Sequence, residues 1–402
     1  MTSTRPVVAG ADTHSQTHHV AVLDTATGKL LADQQFPATP AGYRAILAFI
    51  TELGDLTRFG IEGTNSYGAG LSRFLQNAGV EVREVIRPNR AQRRLRGKSD
   101  PLDAITAAQV ALASADLPIP KSSDGPVESI RVLALVRDSA VKSRANVLRQ
   151  IGMILVSAPV GQREELQKLR EKPLLDKLRR SRPADPLTGV EHATATALRQ
   201  LARRHEHLTA EIGEITDQLR TLVEHVNPGL LAAKGVGVVT AAQLLITVGD
   251  NTERITSKAA FAALTGVSPI PASSGKTNRH RLNRGGDRRA NNAIHTIALV
   301  RMSMDPRSKA YIAKKTAEGK TKLEAIRCLK RHIANELFTL ITNPPTVPDI
   351  TDLRPARIAR GLTLQNVADH FNVWPMHIST IERGKRRDDN LANRYREWLT
   401  AA

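Results

Sequence analysis

Cysteine, aromatic side chains and long apolar runs are all scarce in this chain. A single cysteine, Cys328, among 402 residues excludes a disulfide framework and any cysteine-rich zinc site. Aromatic residues make up 3% of the composition, so stacking of bases on aromatic platforms is not expected to dominate recognition of nucleic acid. No run of about 18 apolar residues occurs, and the opening Met1-Thr2-Ser3-Thr4-Arg5-Pro6 has no apolar signal core. A soluble, cytoplasmic protein with no membrane partner is therefore expected, and a bacterial one of this charge would associate with the nucleoid. Acids are outnumbered too: 39 Asp and Glu face 58 Lys and Arg, a net charge of +19. An excess of that size points to a polyanionic partner, and DNA or RNA is the commonest one.

Residues 6–124 alternate between strand and helix patterns, which predicts an α/β domain. Three short strands fill residues 6–36, the first ending on Asp12. Thr39 is the expected N-cap of a helix to about Leu53, a fourth strand ends on Glu62, and a fifth runs from Val80 to Ile86. After a basic segment, Arg87 to Lys98, Asp100 precedes Pro101 and is expected to cap a helix, with Asp103 on the same first turn. Asp12, Glu62, Asp100 and Asp103 are thus expected at one sheet edge, as hard oxygen ligands for Mg²⁺ or Mn²⁺. Two such ions stabilise both the attacking and the leaving oxygen of phosphoryl transfer. Strand-end and N-cap carboxylates are also ordinary, and most bind nothing. His14, His18 and His19 fit no zinc spacing and read as surface residues.

From 125 to 226 the period becomes helical, interrupted at Arg182-Pro183-Ala184-Asp185-Pro186. Leu198, Leu201, Leu208, Ile212, Ile215, Leu219 and Leu222 stand at near-heptad spacing, which suits a coiled-coil arm, packed either within the chain or against a second copy. Residues 227–342 read as a further, mostly helical domain. It opens on Lys234-Gly235-Val236-Gly237, which resembles a helix-hairpin-helix turn whose amides hold a backbone phosphate; a plain structural hairpin is the alternative. Its most reactive stretch is Ser273-Ser274-Gly275-Lys276. Six Lys and Arg lie between Lys276 and Arg289 (Lys276, Arg279, Arg281, Arg284, Arg288 and Arg289), against one acid, Asp287. A hydroxyl beside clustered guanidinium groups suits attack on a phosphodiester, because Arg forks match phosphate oxygens. A flexible basic loop is the bland reading of the same residues.

Taken together, Ala9 to His14, Gly60 to Gly68, Lys98 to Ala104 and Phe261 to Gly286 resemble the DEDD-type insertion-sequence transposases, the bridge-RNA-guided recombinases. That resemblance spans about residues 7–342. It implies a RuvC-like (RNase H-like) nuclease domain followed by a serine-bearing transposase domain, with a metal-binding quartet at Asp12, Glu62, Asp100 and Asp103. It implies Ser274 as the nucleophile, though Ser273 adjoins it. It further implies dimers or tetramers, DNA ends and target DNA as substrates, and a non-coding RNA encoded by the element as guide. A non-catalytic DNA-binding regulator derived from a transposase is the competing reading.

Asn343 to Thr351 reads as a linker (343–351), and residues 352–402 depart from the transposase pattern. They resemble a Cro/repressor-type helix-turn-helix, with Thr363 capping the second helix and Trp374 to Gly384 as the recognition helix and its stop. That likeness places Met376, His377 and Thr380 toward base edges, and Arg383, Lys385, Arg386 and Arg387 near phosphate. A small helical oligomerisation cap is the alternative.

Overall fold

The computed structural model describes residues 5–85, 99–114, 116–122, 124–182, 188–273, 280–346, 348–385 and 387–401. The predicted basic segment Arg87 to Lys98, the proline interruption from Pro183, and Ser274, Lys276, Arg279 and Arg386 lie outside them. Two compact units result, one formed by Met1–Glu128 with Val248–Thr256, the other by Ser129–Thr247 with Ser257–Ala402.

The first unit is built on a mixed five-stranded sheet, ordered β3-β2-β1-β4-β5. Its strands are β1 (Pro6–Thr13), β2 (Thr17–Asp24), β3 (Leu30–Pro37), β4 (Asp55–Glu62) and β5 (Val82–Val85). β1 pairs antiparallel with β2 and parallel with β4, so it is the central strand, and seven of its eight residues are buried. A strand covered on both faces must be apolar throughout, as Val7 to Ala11 are. On one face, helices α1 (Pro40–Leu53) and α2 (Ala69–Asn77) bring Ile46, Ile50, Leu71 and Leu75 onto Val7, Val20, Val22, Phe59 and Ile61. Thr39 caps α1 as expected, its side chain accepting from the Gly42 amide.

Helix α3 (Asp100–Ala113) covers the other face, where Ala108 and Ala111 meet Val8 and Leu23. Glycine decides how closely it lies. A Cβ on Gly10 would stand 2.1 Å from the Ala108 nitrogen, and one on Gly60 would stand 2.7 Å from the Ala107 carbonyl oxygen. Residues 248–256 belong to the same unit: Asn251 accepts from the Ser122 amide and donates to the Pro120 carbonyl, and Asp250 accepts from the Val127 amide.

The second unit is mostly helical. In the arm, Val147, Ile151, Leu155, Leu166 and Leu178 pack on Leu198 and Ala202 of the long Val190–Val226 helix. The near-heptad stripe therefore finds partners within the chain for its first part; Ile212, Ile215 and Leu219 are buried as well. Four short helices at the end, Leu353–Ala359, Leu364–Phe371, Pro375–Glu382 and Asp389–Ala401, share a core around Val367, Ile378, Ile381 and Tyr395. Inside it the Arg357 guanidinium donates to both Glu382 carboxylate oxygens (2.6 and 2.9 Å), and the Tyr395 hydroxyl donates to the same carboxylate. Among the described residues no helix is long and apolar enough to cross a membrane.

The expectation that His18 is a surface residue fails. It is fully buried in β2 and stacks on Tyr43, with ring centroids 5.8 Å apart. Burial pushes its pKa below the ordinary 6.5, against the opposing effect of the Thr17 backbone. Neutral His18 is thus favoured in the fold, and its contribution is complete above the unfolded-state pKa and is lost as the pH falls below it. His18→Phe should flatten the decline in melting temperature below about pH 6.5. Gly10→Ala should destabilise the protein by about 3 kcal/mol or more in chemical denaturation, since backbone stands where the methyl would go. Gly152→Ala, in open space on the Pro126–Ser157 helix, should instead stabilise by about 0.5–1 kcal/mol.

Candidate active site

The parallel register of β1 and β4 pairs Ala11 with Ile61 and so brings Asp12, one residue before the end of β1, beside Glu62, the last residue of β4. Both carboxylates are buried, and the Thr13 hydroxyl donates to the Glu62 carbonyl at 2.8 Å. α3 begins at the same edge because it crosses β1 over Gly10. Ser99, not Asp100, is its N-cap residue, and its side chain makes no capping bond, so Asp100 occupies the first helical position. Asp100 faces His14. His14 Nε2 lies 3.2 Å from Asp12 Oδ2 and 3.3 Å from Asp100 Oδ1.

Asp12, His14 and Asp100 are the one group among the described residues with three ligand-type atoms within 4.8 Å of each other. Asp12 Oδ2 and His14 Nε2 are buried atoms, yet neither has a hydrogen-bond partner. Buried polar atoms held only by an ion-pair contact, with no hydrogen bond, are incompletely satisfied. A divalent cation between them would satisfy both, and two carboxylates with one imidazole form a reasonable set for Mn²⁺ or Mg²⁺, the imidazole tilting it toward Mn²⁺. Glu62 and Asp103 stand at the same edge but outside this group. The expectation that His14 is a surface residue gives way to a half-buried position. Its i+2 relation to Asp12 was the available signal, because alternate residues of an extended segment share a face. His19, also read as a surface residue, hydrogen-bonds Asp33 at 2.6 Å with most of its side chain covered.

In the second unit, the segment carrying Ser274 leaves and re-enters the described residues through a short ladder. Ile270 pairs with Arg281 and Pro271 with His280, so the chain is held together on either side of residues 272–279. The chain then packs back on itself through glycine. Gly286 has φ +80°, and a Cβ there would stand 2.7 Å from three backbone atoms of residues 263–266. Asp287 caps the Arg288–Met304 helix, accepting from the Arg289 and Ala290 amides and from the Thr247 hydroxyl. The only acid in the basic stretch is therefore engaged in backbone capping. Leu282, Arg284, Gly285, Arg288, Asn291, Asn292 and His295 line an open cleft of about 490 Å³ beside the ladder.

At the predicted hairpin, Gly235 adopts φ +79° where a Cβ would press on Arg301. Arg301 donates to the Lys234 carbonyl and forks onto Glu336 at 2.7 Å twice. The Lys234 ammonium pairs with Asp305, and the Gly237 amide donates to the Thr240 hydroxyl. These partners are internal, so the turn has a structural use whether or not it also meets phosphate. In the C-terminal helices, Trp374 and Met376 are 82% and 67% exposed at the head of the Pro375–Glu382 helix. Thr380 donates to the His377 carbonyl, and the His377 ring is mostly covered and lies near Asp388 (3.7 Å). Arg383 and Lys385 are exposed, whereas Arg387, expected near phosphate, is bound to Asp389 and to the Pro348 carbonyl.

Two family models match the chain. One, of the DEDD IS110 type and described as "Transposase", covers residues 9–158. The other, "Transposase IS116/IS110/IS902 family", covers residues 228–313. Over these two stretches the chain is similar to the domains of IS110-family transposases. A 43.6 kDa protein of insertion element IS110 from Streptomyces coelicolor is 27% identical over 83% of this chain and 94% of its own length. A 42 kDa protein of insertion element IS900 from Mycobacterium paratuberculosis is 25% identical over 84% of this chain and 96% of its own. A candidate transposase of the Streptomyces coelicolor IS117 mini-circle is 26% identical over 83% and 92%. These likenesses support a DNA transposase function, and the DEDD domain suggests use of a divalent metal. The Asp12–His14–Asp100 group lies inside the first match, while the ladder and cleft lie inside the second.

Mn²⁺ should raise the melting temperature of the wild-type protein in a saturable way. Asp12→Asn and His14→Ala should each weaken that stabilisation at least about tenfold in apparent affinity. If the three side chains are only an ion-pair cluster, thermal shift will show no response to the cation.

Proposed function

We propose that this chain cuts and rejoins DNA at the ends of an insertion sequence, with Ser274 as nucleophile and Asp12, Glu62, Asp100 and Asp103, joined by His14, as the metal-binding edge. The observation that carries the reading is the convergence of Asp12 Oδ2, His14 Nε2 and Asp100 Oδ1, the first two buried and without a hydrogen bond, in a stretch similar to DEDD transposase domains. In the reaction proposed, the Ser274 oxygen bonds to phosphorus while the bond from phosphorus to one deoxyribose oxygen breaks. The serine proton ends on that leaving oxygen, giving a free DNA hydroxyl and a phosphoserine link, and attack by another DNA hydroxyl reverses the step. A cation at the acid edge would supply Lewis-acid stabilisation of charge on the phosphate. Arg281, Arg284 and Arg288, with Lys276 and Arg279, hold the DNA backbone.

The acid edge and the serine loop act on one phosphate, within one copy or between copies of a dimer or tetramer. An element-encoded RNA supplies sequence recognition by base pairing, which leaves the protein to grip backbones. The C-terminal helices add duplex contacts through Thr380, Arg383 and Lys385, with His377 nearby. Gly235 and Gly237 with Lys234 offer a further backbone contact.

The test is to incubate the protein with element-end DNA, Mg²⁺ or Mn²⁺ and the element's transcripts, then look for a denaturation-resistant protein–DNA adduct. Ser274→Ala should abolish the adduct and Ser273→Ala should keep it; the reverse pattern moves the role to Ser273. Asp12→Asn should retain DNA binding and lose strand transfer by about a hundredfold or more. DNA binding with no adduct under any condition would favour the regulator reading.

A further inference from the structure

The basic cleft beside the ladder holds a charge arrangement that capping and packing do not explain. Lys330, on the Lys322–Thr342 helix, is 9% exposed, and the partner of its ammonium is the Asn291 side-chain oxygen at 2.6 Å. No carboxylate lies within ion-pair distance of Lys330, Arg284 or Arg288 among the described residues. Asn291 is fixed by its own amide, which donates to the Thr265 and Gly266 carbonyls at 2.9 and 3.0 Å. Its oxygen is thereby turned toward Lys330, and the buried charge sits directly behind the cleft wall. Burial, with Arg327 adding repulsion, pulls the Lys330 pKa down; burial and Lys330 do the same to His295. The Arg288–Met304 helix start contributes little to the cleft, because Asp287 already takes its first amides. Arg284, Arg288 and His295 therefore line the cleft and Lys330 stands behind it through Asn291, with no carboxylate paired to any of them among the described residues, and burying an unpaired cation is costly.

We propose that this cleft is an anion site for a DNA phosphodiester: Arg284, Arg288, Asn292 and His295 contact the phosphate oxygens, and Lys330, aimed by Asn291, is the buried counter-charge that positions it. The site rests on the transposase reading and deepens it, since it places the phosphate next to the serine loop's ladder and adds Lys330 and His295, which the basic sequence motif does not include. Forked Arg donors suit non-bridging oxygens, and a cavity of about 490 Å³ leaves room for the flanking sugars.

The test uses the full-length Ser274→Ala protein, so that no cleavage is read and failure of the serine assignment leaves the result untouched. Inorganic phosphate is titrated while the His295 imidazole resonance is followed by NMR, with His295→Gln identifying the signal. Phosphate should shift that resonance saturably, and Lys330→Met should weaken the apparent affinity about tenfold or more. Without phosphate, Lys330→Met should melt at or above the parent's temperature, because it removes an unbalanced buried charge; adding phosphate should stabilise the parent more than the variant. A second arm compares duplex DNA with RNA of equal length at matched salt, and the DNA should move the His295 signal. A resonance indifferent to phosphate, equal phosphate affinity in Lys330→Met, or a response to RNA but not DNA would each overturn the assignment.

Discussion

A helix can lie directly on a strand only where the strand presents no side chain. Gly10 and Gly60 provide that clearance, and everything at the acid edge follows from it. With α3 seated on β1 and β4, the first turn of α3 sits beside the strand end at Asp12 and His14, and Asp100 comes within 3.3 Å of His14. Moving the helix outward by one methyl would open the group that the candidate chemistry needs. The rigid element is thus a packing contact between alanine and glycine, and the polar site is its consequence.

The second unit balances its charges unevenly. Where cations serve the fold they are paired: Arg301 with Glu336, Lys234 with Asp305, Arg357 with Glu382. At the cleft Arg284 and Arg288 are not, among the described residues; Asp287 is committed to helix capping and to Thr247, and Asp138 to Arg289. Paired charges fix turns and helix crossings, while the unbalanced ones face the cavity. That division agrees with the chain's similarity to transposase domains, which act on a polyanion.

The C-terminal helices follow the first pattern. Glu382 is buried and receives bonds from Arg357 and Tyr395, so burial and this hydrogen bond push the Tyr395 pKa upward. The triad ties three helices together and leaves Trp374 and Met376 outward at the head of the third. Arg387 is spent on Pro348 and Asp389, which removes one cation expected on the outer face.

Periodicity and capping chemistry made much of the fold legible. The alternating α/β order, the Thr39 cap and the strand ends that carry Asp12 and Glu62 can all be read from local pattern, because turns, caps and two-residue alternation are local physics. The acid positions were legible for the same reason. The roles of His14, His18 and Lys330 were not, since a histidine or lysine between polar neighbours looks exposed until another element covers it. Asp100 was misplaced by one position because Ser99 and Asp100 are both good caps, and only the seated helix shows which one begins it. The sequence by itself thus determined which residues form elements and where acids and bases cluster. Only the tertiary structure decided which lone pairs and charges lack partners, because desolvation depends on what packs around an atom and not on what adjoins it in the chain.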